Sequence, residues 1–171
     1  ALFLEIHCQG LQMSKITVKA GADHITDLAS AKPVSAISEL IWNGFDAKSQ
    51  CVEIIINKNP ILDSIDSIIV KDYGAGIDYN KVTSLFGNLG ESWKKQARAN
   101  GDRSLHGQYG RGRFKALSLG ANIKWKTVFN KNNQKFEYVI SSDANSVKDF
   151  EVGEVTNYLG DYNGTEVEIF N

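Results

Sequence analysis

Long apolar runs are missing from this sequence. No stretch approaches the roughly 18 residues that a membrane-crossing helix requires, so no membrane partner is expected. The opening Ala1 to Ile6 is apolar but short, and it carries neither a basic flank nor a small-residue cleavage site, so it is not read as a signal peptide. Cysteine is scarce as well. Cys8 and Cys51 form neither a disulfide framework nor a metal-ligand pattern, which suits a reducing, cytoplasmic setting. His7, His24 and His106 are equally scattered and read as structural or exposed. Excess charge of one sign is also lacking: 19 Lys and Arg stand against 20 Asp and Glu, so bulk electrostatics do not point to nucleic acid. There is no internal repeat and no low-complexity segment. Neither a Walker A loop nor the dinucleotide pattern Gly-x-Gly-x-x-Gly occurs, since Lys115 stands where the last glycine of that pattern would be.

What is present suffices for one substantial core: 171 residues, of which 42% are hydrophobic and 10% aromatic. Met13-Ser14-Lys15 reads as a natural start. Residues 1–12 are then a non-native leader, and 13–171 one domain. A short strand is expected over Ile16 to Lys19, and a helix over about Asp27 to Ser49, interrupted near Pro33, which fits a first helical turn. Val52 to Asn57 and Ile65 to Val70 read as buried strands, and Asp78 as the cap of a helix over Tyr79 to Phe86. Asn122 to Phe129 and Lys135 to Ser141 form a hairpin pattern. Phe150 to Tyr158 and Thr165 to Phe170 flank a Gly160 to Gly164 turn.

Three stretches carry chemistry. In Ser38 to Ala47, Glu39, Asn43 and Asp46 stand at i, i+4 and i+7 and share one helix face, while Leu40, Ile41 and Phe45 point elsewhere. An amide oxygen there can hold Mg²⁺ while a carboxylate activates a water, the chemistry of nucleotide hydrolysis. Alone, such a stripe is more often a solvated surface than an active site. Second, the strand ending at Asp72 runs into Gly74, Ala75, Gly76 and Ile77. Glycines permit a sharp turn around a flat ligand, at whose edge Asp72 can accept a hydrogen bond from an exocyclic amine such as adenine's; an ordinary Asp-containing turn is the other reading of this fragment. Third, Gly87 to Gly107 is a long stretch without periodicity, of the kind that forms lids, with Ser92, Lys94 and Lys95 suited to phosphate. It ends in Gly107-Gln108-Tyr109-Gly110-Arg111-Gly112-Arg113, where glycines ahead of a helix, with Arg111, Arg113 and Lys115, attract a polyphosphate.

In their order and separation, Glu39-x-x-x-Asn43-x-x-Asp46, Asp72-x-Gly74-x-Gly76 and Gly107-Gln108-Tyr109-Gly110-Arg111-Gly112 resemble the GHKL superfamily. These are the ATPases of DNA gyrase B, ninety-kilodalton heat-shock chaperones, histidine kinases and MutL, with Gly164-Thr165 similar to the family's last motif. The resemblance implies the Bergerat ATP-binding fold, an α/β (α+β) two-layer sandwich in which helices cover a mixed, largely antiparallel sheet. It also implies ATP and Mg²⁺ as ligands. Residue by residue, it makes Glu39 the general base, Asn43 the Mg²⁺ ligand and Asp46 a support for base and pocket. Asp72 would bind the adenine amine, Gly74, Gly76 and Ile77 the adenine floor, and Thr165 adenine through water. Lys94, Gly107, Gly110, Arg111, Gly112 and Arg113 would meet the phosphates. Glu39 argues for hydrolysis over histidine-kinase-like phosphotransfer, while a non-enzymatic ATP-sensing module is the other reading. Gly90-x-Ser92-x-Lys94 and the Gly107 to Gly112 motif most resemble the Microrchidia and heat-shock-chaperone branches, and Arg113-Phe114-Lys115 carries one residue more than the Microrchidia form. ATP-driven lid closure and homodimerisation, weak hydrolysis without a second domain's lysine, and a DNA or protein client held by other domains are further expectations of that resemblance.

Overall fold

The computed structural model describes residues 13–18, 30–87 and 112–171, with the backbone alone for 112 and 113. The elements run β1 (Ser14–Thr17), α1 (Pro33–Asp46), β2 (Val52–Asn59), β3 (Ser64–Asp72), α2 (Tyr79–Gly87), α3 (Gly112–Lys115), a 3₁₀ turn (Ala116–Ser118), β4 (Asn122–Lys131), β5 (Gln134–Asp143), β6 (Asp149–Val152), β7 (Thr156–Asn157) and β8 (Gly164–Phe170). The strands form one sheet in the order β1-β6-β5-β4-β8-β3-β2, with β7 beside β5. Every pairing among the described residues is antiparallel, so the expected parallel component is absent there.

Alternation along the central strands decides which face is covered. Ile123, Trp125 and Phe129 of β4, Tyr138 and Ile140 of β5, and Val167 and Ile169 of β8 are buried together with Leu40 of α1, Val82 and Phe86 of α2, and Phe114 of α3. The intervening residues carry charge: Lys126 pairs with Glu166 at 3.4 Å and Glu168 at 3.5 Å on the opposite face. A period of two thus produces a half-covered sheet, apolar toward the helices and charged toward solvent. The covered face is knit by aromatic edges: Phe86 packs at 5.1 Å on Phe150 and 5.4 Å on Trp125, and Phe114 at 5.8 Å on Phe150. Such edge-to-face contacts add about 0.5–1.5 kcal/mol each beyond the buried area.

Local chemistry explains the turns. The two-residue loop between β4 and β5 is Asn132-Asn133, both at positive φ (53° and 62°), the backbone a type I′ hairpin demands and Asn tolerates. Asp78 Oδ1 accepts the Asn80 N–H at 3.0 Å and starts α2 as its sequence indicated.

Three expectations give way. The Val52–Asn57 run, read as buried, is an edge strand whose Ile54, Ile55 and Ile56 are 43–50% exposed; β-branched residues serve an edge as well as a centre, and periodicity does not tell them apart. The Phe150 to Tyr158 strand is broken after Val152 into β6 and β7. The Gly153 N–H bonds the Val139 carbonyl at 2.8 Å and the Tyr158 N–H the Lys135 carbonyl at 2.9 Å, so the chain returns to β5 after the break. The helix expected over about Asp27 to Ser49, interrupted near Pro33, runs over Pro33–Asp46: its start fits the interruption, Ser30 to Lys32 and Ala47 to Ser49 lie outside it, and residues 19–29 lie outside the described residues.

Tyr138 lies 3% exposed beneath Tyr79, and its hydroxyl has no hydrogen-bond partner among the described residues. Burial pushes its phenol pKa up. An orphaned buried hydroxyl costs about 1–3 kcal/mol, so Tyr138→Phe is expected to leave stability unchanged or raise it. Urea unfolding checks this, and a clear loss of stability would show that the hydroxyl is satisfied.

Candidate functional site

Helix α1 organises the site. Ala36, Leu40 and Gly44 are buried, and the adjoining face carries Ser35, Glu39, Asn43 and Asp46. Asn43 is exposed and Asp46 is buried at 7%. Gly44 is the point of closest approach. A Cβ there would stand 2.7 Å from Val52 Cγ2 and 2.9 Å from Asp72 Cβ, so only glycine lets α1 lie against the end of β3.

Asp72 is tethered through one oxygen. Its carboxylate is 9% exposed, and Oδ1 accepts the Gly74 N–H at 2.8 Å and the Thr165 N–H at 3.2 Å. Both of these bonds fall on Oδ1, and among the described residues no hydrogen bond engages Oδ2. Burial raises the Asp72 pKa above the ordinary carboxylate range, and the two N–H donors offset part of that rise. The backbone around it is held from three sides. The Tyr162 hydroxyl donates to the Asp72 carbonyl at 2.8 Å and Asn163 Nδ2 to the Gly74 carbonyl at 2.6 Å. The Ala75 N–H reaches the Ala47 carbonyl at 2.8 Å. The Ile77 N–H donates to Thr127 Oγ1 at 2.8 Å, and that oxygen lies 3.1 Å from Thr165 Oγ1. Gly76 has φ +69°, and a Cβ there would run into the Val128 carbonyl. The turn from Asp72 to Ile77 is thereby tied to β4 through Thr127 and packed at Gly76 against the Val128 carbonyl.

At the other end of the α1 stripe, Lys115 Nζ stands 2.9 Å from Glu39 Oε1 and 3.4 Å from Ser35 Oγ. Glu39 and Gly44 are five residues, about 7.5 Å, apart along the helix axis. The stripe thus spans from the Asp72 end to α3.

Of the residues expected at the site, Asp72, Gly74, Ile77 and Thr165 come together in one hydrogen-bonded cluster through Thr127, and Gly76 packs beside it against the Val128 carbonyl. Glu39, Asn43 and Asp46 share the α1 stripe as spaced. Gly112 and Arg113 open α3. Lys94, Gly107, Gly110 and Arg111 lie outside the described residues. Sequence reasoning missed Thr127, which reads as an ordinary strand residue, and Tyr162 and Asn163, which read as turn residues. It also missed the role of Gly44, for which there was a signal: a glycine inside an otherwise amphipathic helix costs about 1 kcal/mol and wants a packing reason.

That reason is testable. Gly44→Ala gains helix propensity but overpacks α1 against Val52 and Asp72, which typically costs about 1–3 kcal/mol. A net destabilisation is expected in thermal or urea denaturation, and a stabilised variant would show that α1 does not seat this closely.

Comparison with known proteins follows the geometry. A family model described as histidine kinase-, DNA gyrase B-, and HSP90-like ATPase matches residues 31–163, a span that holds α1, the Asp72 turn and β4. A search of curated proteins finds no match. The family supports ATP binding and, in general terms, ATP hydrolysis. Among the described residues no helix is long and apolar enough to cross a membrane. The match covers well over half of the chain, which therefore belongs to the histidine kinase-, DNA gyrase B- and HSP90-like ATPase family.

Proposed function

We propose that residues 13–171 form one nucleotide-binding unit that hydrolyses ATP, with adenine at Asp72 and the phosphates toward α3. The observation that carries this reading is the half-engaged Asp72 carboxylate: Oδ1 is fixed by two backbone N–H groups while Oδ2 faces an acceptor's task. An exocyclic amine donor, which adenine has and guanine lacks at that position, completes it. Gly74, Gly76 and Ile77 form the floor under the base. Thr165, whose own N–H holds Asp72, is assigned to reach the ring through a water.

Hydrolysis needs a base that takes a proton from water. Glu39 is assigned that role, since it lies on the same α1 face as Asn43, one turn away. Mg²⁺ fits the donor set: an amide oxygen from Asn43 together with phosphate oxygens and waters suits a hard cation that gives up its waters reluctantly. Its chemistry would be to neutralise phosphate charge. Among the described residues no three His, Cys, Asp or Glu side chains cluster to hold a metal, so a protein-only cage is not the arrangement proposed. Asp46 supports the stripe from the buried end of α1. Gly107, Gly110, Arg111, Gly112, Arg113 and Lys94 are assigned to the phosphates on sequence grounds. Closure of a Gly87 to Gly107 lid, nucleotide-dependent homodimerisation, a DNA or protein client and a cytoplasmic location belong to the same reading.

Two variants test the two ends of the site. Asp72→Asn keeps an oxygen for Gly74 and Thr165 but turns an NH₂ toward the adenine amine. ATP-analogue affinity in titration calorimetry should fall by about 1–3 kcal/mol, roughly five- to 150-fold. The pH dependence has a definite sign. The ionised carboxylate is the acceptor, so affinity should fall on acidification through the raised Asp72 pKa. Stability moves the other way. A folded-state pKa above the unfolded one favours the fold at low pH, and that contribution is lost as pH rises through the folded value. The thermal midpoint of Asp72→Asn relative to the parent should therefore improve with rising pH. An unchanged affinity would remove adenine from Asp72.

Glu39→Ala should retain nucleotide binding while turnover falls about a hundredfold or more. Parental turnover in that variant would end the hydrolase mechanism and favour a non-enzymatic ATP-sensing module.

A further inference from the structure

Lys115 was counted, from sequence, among the cations that face phosphate. Its partners are different. Nζ lies 2.9 Å from Glu39 Oε1 and 3.4 Å from Ser35 Oγ, and no other hydrogen bond or ion pair engages it among the described residues. Ser35 and Glu39 are i and i+4 on α1, so the ammonium sits over one face of that helix, on the stripe that continues to Asn43. The pair is partly shielded, with side chains 22% and 28% exposed, and less screened than a surface pair.

Lys115 cannot drift. Its chain neighbours Phe114 and Ala116 are fully buried and Leu117 is 7% exposed. Phe114 packs on Phe150 of the sheet, and the Ser118 hydroxyl bonds the Lys115 carbonyl at 2.7 Å. The ammonium is thus delivered to α1 from a backbone anchored in the core. A glutamate side chain left to itself samples many rotamers, a freedom worth up to about 2 kcal/mol. Here one carboxylate oxygen is fixed, which sets the direction of the other.

We propose that Lys115 is a positioning residue for Glu39: it acts through the carboxylate, holding one oxygen so that the second is aimed at the attacking water, and it is not a phosphate ligand. This rests on the assignment of Glu39 as base. General-base catalysis requires geometry before anything else, and misplacement by about 1 Å costs up to a hundredfold.

The test is a double-mutant cycle on the full protein. Mg²⁺-dependent ATP turnover and affinity for a non-hydrolysable ATP analogue are measured for the parent, Lys115→Met, Lys115→Arg, Glu39→Gln and the Lys115→Met/Glu39→Gln double variant. Lys115→Met should lower kcat roughly tenfold or more with KM and analogue affinity unchanged. Lys115→Arg, which restores a cation, should recover much of that loss. In the Glu39→Gln background, Lys115→Met should not lower the residual rate further. Weakened analogue binding with kcat preserved would make Lys115 a phosphate ligand and overturn the proposal. So would an equal kcat loss in both backgrounds, since the effect would then not pass through Glu39. If Glu39→Gln loses turnover and Lys115→Met does not, the base assignment survives and the positioning proposal alone fails. Parental turnover in Glu39→Gln, or a parent without turnover, removes both.

Discussion

The site depends on how the buried Asp72 carboxylate is satisfied. A carboxylate at 9% exposure is costly to leave unpaired, and here the Gly74 and Thr165 N–H groups meet one oxygen. That pair of bonds fixes more than the side chain. Gly74 lies in the turn after β3 and Thr165 at the start of β8, so the carboxylate binds the turn to the neighbouring strand. The Tyr162 and Asn163 side chains hold the same turn from the β8 side, and Ala47 holds it from the end of α1. Burial pushes the Asp72 pKa up while the two N–H donors pull it part of the way back.

Helix α1 joins that end to the Glu39–Lys115 pair. Gly44 lets it settle on Asp72, and five residues earlier Glu39 meets Lys115. The distance between the two ends is set by helical rise, which is why one short segment of sequence holds so much of the site. The sheet stands behind it: among the described residues one face is an aromatic core and the other carries Lys and Glu pairs.

Much of this was legible in the residues. The i, i+4, i+7 spacing of Glu39, Asn43 and Asp46 survives intact because helical periodicity is local. Asp72 before two glycines, and the Asp78 cap, are likewise local signals. What was not legible depends on who meets whom across the sheet. Thr127 looks like any β-branched strand residue until registration sets it opposite Thr165. Lys115 looks like one more cation beside Arg113 until α3 is laid against α1. The isoleucines of β2 read as core because an edge strand and a central strand have the same composition, and only topology decides which one is covered.

The most direct measurement is a crystal structure of the chain with Mg²⁺ and a non-hydrolysable ATP analogue. The account predicts the adenine amino group within about 3 Å of Asp72 Oδ2, with Gly76 and Ile77 beneath the ring and the phosphates on the Glu39 side of α1. A nucleotide bound elsewhere, or one whose base leaves Asp72 Oδ2 without a donor, would contradict it.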